Sequence, residues 1–221
     1  MLDNASTNTL SSYTVCVVDI GSPKLGNLGW YLFNTHTQTS YYGDDLDALI
    51  KPLLQASDQG GVLLGLEAPL FVPIREDLLA ITKARLGESP RPWSAGAGAQ
   101  VLAMNLPIMT YLFQKLYASA KTLSMHIDTN DFLATPSQIL LFEALVSGKN
   151  KGTSHIDDAR IMCDYCLSYA AKGTLPPSIL QEEPATTYLN LAACALLHAK
   201  LTHHHQWIYH PSPIYRPDYT L

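Results

Sequence analysis

The chain predicts an α/β domain built on a mixed sheet, an antiparallel opening meander followed by parallel strands, with helices on its faces. Three observations predict it. Residues 13–20 and 61–67 are apolar runs of strand length, the pattern of strands buried on both faces. Between them, Asp45–Gln55 carries Leu46, Leu49, Ile50, Leu53 and Leu54 at helical spacing, and strand–helix–strand order implies parallel pairing through a right-handed crossover. The glycine-punctuated segment Gly21–Gly29 leads into the aromatic run Trp30-Tyr31-Leu32-Phe33 and then Thr37–Tyr42, which reads as a meander.

The later elements follow the same logic. Residues 75–86 read as a short helix, and the glycine- and proline-rich stretch Gly87–Gly98 as a loop. Residues 99–120 are a long apolar helix with a break expected at Pro107. Leu123–Ile127 and Ile139–Val146 read as strands, and residues 155–171 and 186–200 as helices. From Gln206 the chain is rich in aromatics and prolines and is expected to lie extended on the surface. Residues 1–12 are expected to be a flexible tail, and 13–221 one domain.

Composition narrows the function classes. With 221 residues, 47% hydrophobic and 15% charged, the chain can bury one sizeable core. No run of about 18 residues is apolar throughout, as a membrane span requires, so no membrane association is expected. The polar start lacks a basic and apolar leader, so the expected location is cytoplasmic. A net charge of −5 gives no support for a strongly basic nucleic-acid binder, although a local patch is compatible with it. Cys16, Cys163, Cys166 and Cys194 include one C-x-x-C without a second pair, which reads as buried reduced thiols rather than a zinc or redox site.

The informative residues are carboxylates in apolar surroundings. Asp19 closes the first strand, Glu67 closes Val62–Glu67, Glu143 lies inside Ile139–Val146, and Ser154-His155-Ile156-Asp157-Asp158 opens a helix. An ionised carboxylate is costly to bury unless it is paired or bound to a cation. Each residue has an ordinary explanation as well. Asp19 suits backbone N–H groups of the following turn, and Glu67 suits a salt bridge to Arg75 or Arg91. Glu143 suits a buried base or an exposed edge. Asp157 suits a capping box begun by Ser154, or a pair with Arg160. Asp158 leads an apolar stripe with Ile161, Met162 and Tyr165, and His155 shares its face. Asp19, Glu67, Glu143, Asp157 and Asp158 are therefore the candidate metal ligands, and Asp19, Glu67, Asp158 and His155 the candidate catalytic residues. Oxygen ligands of this kind suit Mg2+ or Mn2+, and such ions serve phosphoryl transfer.

The order strand with Asp, hairpin, helix, strand with Glu, late helix opening His-x-x-Asp resembles the RNase H-like fold and its Holliday-junction-resolvase branch. There Asp19, Glu67, His155 and Asp158 match the metal-binding positions. The chain is also similar to an uncharacterised bacterial and archaeal family of RNase H-like domains. The matching pieces are Asp19-Ile20-Gly21, Glu67-Ala68-Pro69-Leu70, Arg75 to Gly87 with Asp77, Ala84 and Arg85, Phe142-Glu143-Ala144 and Asp157-Asp158-Ala159. That family often has Asp where this chain has Glu67, and it carries no settled activity.

The resemblance implies a metal-dependent phosphodiester hydrolase acting on nucleic acid. Arg75, Arg85, Arg91, Lys149 and Lys151 are candidate phosphate contacts, with solvated surface charge as the ordinary reading. Trp93–Gly98 is either a loop over the crevice or a plain connection, and His203–His205 either a polar helix end or a transition-metal binder. Two rival readings remain. Asp19–Lys24 is similar to the first phosphate loop of actin-like and sugar-kinase ATPases, but no second such loop follows. A catalytically inactive domain used to bind a partner is the other.

Overall fold

A computed structural model describes residues 13–89, 92–135, 138–146, 151–184 and 186–217. The expected tail at 1–12, Arg91 and Lys149 lie outside the described residues. In chain order the elements are β1 (Thr14–Asp19), β2 (Gly29–Asn34), β3 (Thr39–Gly43), α1 (Leu46–Gln59), β4 (Val62–Glu67), β5 (Phe71–Ile74), α2 (Gly96–Ser119), β6 (Met125–His126), α3 (Thr129–Ala134), β7 (Ile139–Ala144), α4 (His155–Ala170), β8 (Thr187–Asn190), α5 (Leu191–His198) and β9 (Ile214–Tyr215).

The main sheet has seven strands in the order β3-β2-β1-β4-β7-β6, with β9 also on β7. β1, β2 and β3 pair antiparallel, whereas β1–β4, β4–β7, β7–β6 and β7–β9 pair parallel. The mixed sheet of the expected α/β class is therefore present. Two apolar cores lie on its opposite faces. One joins Cys16, Val18, Leu64, Leu66 and Leu141 to residues of α1, α2 and α5. The other joins Val15, Val17, Leu63, Leu140 and Phe142 to Met162, Cys163 and Cys166 of α4. Alternating residues of each strand supply the two cores, as the two-residue pleat requires.

Four local expectations are corrected. Residues 75–86 form turns, because the Arg75 guanidinium donates to the carbonyls of Ala80, Lys83 and Ala84, and Asp77 accepts from the Leu79 N–H. These side-chain bonds replace a helical ladder, and Leu78 and Leu79 stand in solvent. The segment expected as one helix over 186–200 is split. Thr187–Asn190 pairs antiparallel with β5, and the Asn190 side chain then caps α5 by accepting from the Ala193 N–H at 2.9 Å. α2 starts three residues earlier than expected and runs through Pro107 without a break. The C-terminal stretch is not a surface strap, since Ile214 and Tyr215 are buried and extend the sheet at Glu143 and Ala144. β6 and β9 thereby cover successive halves of the same β7 edge, which removes an exposed edge.

No helix among the described residues is long and apolar enough to cross a membrane. The four cysteines are free, three of them buried. His204 stacks on Trp207 with ring centroids 4.3 Å apart, which accounts for one member of the histidine run.

Candidate metal centre

β1 and β4 are parallel neighbours, and their register sets Asp19 directly beside Glu67 at the carboxyl ends of both strands. The two side chains share a parity with Val17 and Gly65, so they project to the α4 side of the sheet. α4 packs across β1 and β2 and brings its first turn over this strand end. That approach depends on Gly29, the partner of Asp19 on β2. A Cβ there would lie 2.6 Å from the His155 carbonyl carbon and the Ile156 nitrogen. Only glycine admits the helix start so close to the sheet. Sequence reading placed Gly29 in a turn; an isolated glycine opening an aromatic strand was the available signal.

The outcome is an acidic cluster. Asp19, Glu67 and Asp158 each present one carboxylate oxygen within 4.8 Å of the others. Asp19 and Asp158 are buried, and Glu67 nearly so. His155 Nδ1 lies 2.5 Å from Asp19 Oδ2. Asp158 Oδ1 accepts from the Gly152 N–H at 2.5 Å. Glu67 Oε2 is buried with no hydrogen-bond partner among the described residues. The sequence offers Lys151 as a phosphate contact or a solvated surface charge. Its ammonium in fact lies among the acids, 3.2 Å from Asp158 Oδ2 and 3.6 Å from Glu67 Oε1.

Burial pushes the Asp19 carboxyl above its ordinary value, against the opposing pull of His155 and Lys151. Burial, reinforced by the nearby Asp19 charge, pushes Glu67 well above its own. Burial works against the charge on Lys151, but Glu67 and Asp158 outweigh it and raise its pKa. Acids held above their usual range compete for protons until a cation replaces them.

The other two proposed ligands stand elsewhere. Glu143 pairs with Leu66, one residue out of phase with Glu67, and so projects to the opposite face of the sheet. There Arg85 donates to both of its oxygens, at 2.8 and 2.6 Å, and the Leu70 N–H adds a third bond. Arg85 also binds both oxygens of Glu88 and lies 4.5 Å from the Phe71 ring centroid. Burial opposes the Arg85 charge, yet Glu143 and Glu88 prevail and raise its pKa. Of the readings open to Glu143, the partner of a buried base is the one realised, and its carboxylate is fully engaged. Asp157 turns outward, accepting from the Thr153 and Ser154 hydroxyls at 2.6 and 3.0 Å, with Arg160 3.6 Å away. Its N–H donates to the Ser154 cap. It belongs to the helix start and not to the cluster.

The expected phosphate contacts thin out as well. Arg75 is held by Glu183 and three carbonyls, and Arg85 is buried. Neither is the solvated surface charge of the ordinary reading, and neither faces the cluster. A cavity of about 340 Å³ adjoins the cluster, lined partly by Glu67, Lys151 and the Trp93–Gly98 segment. A larger open cleft of about 690 Å³, lined by Asp128, Gln181 and Tyr188 among others, contains no cluster residue. Comparison of the chain with protein-family models, curated proteins and solved structures found no match.

Proposed function

We propose that the protein is a divalent-cation-dependent phosphodiester hydrolase acting on nucleic acid. One observation carries the reading. Three carboxylates from β1, β4 and α4 meet within 4.8 Å, and one of their buried oxygens has no hydrogen-bond partner among the described residues. An all-oxygen donor set of this kind fits Mg2+ or Mn2+, and Asp19, Glu67 and Asp158 are the residues that would hold the ion. The meander followed by parallel strands supports the RNase H-like resemblance, although fold alone does not fix an activity.

When bound, such an ion activates water and stabilises charge on the leaving oxygen of a phosphodiester. The chain supplies the rest. Asp19 holds His155 through Nδ1, which leaves Nε2 on a partly exposed ring to exchange a proton with the departing group. Lys151 sits on a half-exposed, flexible stem. It neutralises part of the cluster at rest and can turn to a phosphate when a cation takes its place.

The test is purified protein on branched DNA, duplex DNA, single-stranded DNA, RNA and ATP, with Mg2+, Mn2+ or chelator, beside Asp19→Asn. Strand cleavage that needs metal and disappears in the variant supports the reading. ATP turnover without cleavage transfers the case to a nucleotide-binding module. Neither cleavage nor metal stabilisation leaves a partner-binding domain in which Lys151 is the permanent counter-ion of the cluster.

A further inference from the structure

We propose that the cavity beside the acidic cluster receives an unpaired nucleobase of the strand whose phosphate lies at the cluster. This rests on the hydrolase reading above and names its substrate class as nucleic acid with an unstacked nucleotide at the cut.

The cavity lies where the carboxyl ends of β4 and β7 meet the start of α2, and its volume is about 340 Å³. That is near the lower end of small-molecule pockets, suited to one base and its sugar. Pro69, Trp93, Val101, Leu145 and Val146 form apolar walls. Glu67 and Lys151 belong to both the cavity and the cluster. An occupant of the cavity is therefore within one nucleotide of a phosphate at the cluster.

Charge selects the kind of occupant. Glu88 and Glu143 also line the cavity, but both carboxylates are committed to Arg85. Among the described lining residues, Glu67 and its neighbour Lys151 remain at the edge, both turned to the cluster. The described lining holds no further cation for a second phosphate, and its apolar walls favour a neutral, flat ring. Trp93 supplies an aromatic wall, and its indole N–H has no partner among the described residues. Base stacking on an aromatic side chain tolerates any sequence. A base inside a duplex is already stacked and paired, so it reaches such a cavity only from a single strand or after leaving the helix.

The experiment uses the full chain with Mn2+ and three labelled probes: a single-stranded oligonucleotide, the same strand annealed to its complement, and the same strand carrying an abasic site. Affinity is read by anisotropy, and stacking by tryptophan emission. Ala97 lines the cavity but is exposed, so Ala97→Trp fills the space without touching the core or the cluster. The wild type should bind the single strand about tenfold more tightly than either other probe, with quenched emission. Ala97→Trp should lose that preference while keeping the Mn2+-induced rise in Tm. Trp93→Ala, a second variant, should lose the quench and the preference together. Equal binding of all three probes by the wild type, or an unchanged preference in both variants, overturns the cavity assignment. Retained metal-dependent cleavage in that case leaves the hydrolase reading standing. No Mn2+ shift and no binding of any probe removes both.

Discussion

Glu67→Gln separates the resting protein from the metal-bound one, and its sign depends on pH. In the metal-free fold, Glu67 lies within 4.8 Å of Asp19 and Asp158 oxygens. At an effective dielectric near 20, a pair of unit charges that far apart repels by about 3.5 kcal/mol. Lys151 opposes this from 3.6 Å, but its side chain is 46% exposed, and solvent screening reduces such a contact to about 1 kcal/mol. His155 offsets part of the Asp19 charge. Asp158 is offset in turn by Lys151 at 3.2 Å, so each acid repels an ionised Glu67 with well under a full charge, and the net repulsion is about 1–3 kcal/mol.

Because its carboxyl is raised in the fold, the folded state holds a proton that the unfolded chain has already released. Its stability contribution is fully present below the unfolded value of about 4.3 and is lost as pH rises through the folded value. Glutamine has nothing to lose. At about pH 8 the variant should therefore melt about 2–12 °C above the wild type without metal, taking about 2–4 °C per kcal/mol at this size. At about pH 4 the difference should vanish. Millimolar Mn2+ should raise the wild-type Tm and leave the variant unmoved. A metal-free variant that melts at or below the wild type in alkaline buffer, or one that Mn2+ still stabilises, refutes the reasoning.

Three further outcomes are expected. Lys151→Met should tighten Mn2+ binding about three- to tenfold by calorimetry, because the tethered ammonium no longer competes for the acids. Arg85→Ala should cost about 3–5 kcal/mol in urea unfolding, since it strands two buried carboxylates; the Mn2+-induced shift should survive in whatever fraction stays folded, because Arg85 serves the opposite face. Asp157→Ala should leave the Mn2+-induced shift at its wild-type size, whereas Asp158→Ala should abolish it, a contrast read in one thermal-melt series.

Asp19, Glu67 and Asp158 were legible because each interrupts or leads an apolar pattern, and a buried acid needs a partner. Glu143 met the same criterion and belongs to another structure. Its parity relative to Glu67 depends on the register between β4 and β7, and no local pattern in either strand carries that register. Arg85, its partner, is 58 positions away in sequence. Asp157 and Asp158 are adjacent; the helical stripe shared by Asp158 and Met162 favours Asp158, yet both are candidate ligands in the sequence, and it is the packing of α4 that turns Asp157 away from the cluster. Gly29 reads in the sequence as part of a turn and Lys151 as a phosphate contact or surface charge, since a glycine's role in close packing and a lysine's place in an acidic cluster appear only once α4 lies on β2.

The elements with strong periodicity and the alternation of buried faces came from the chain itself, because pleat and helix repeat are local properties of the backbone. So did the suspicion that certain acids share a cation. Which acids meet, which are neutralised by arginine, that a lysine reaches two of them, and that an apolar cavity opens beside them were decided by tertiary packing. Those outcomes rest on strand register and on contacts between residues far apart in sequence, and such contacts form only when the whole core closes.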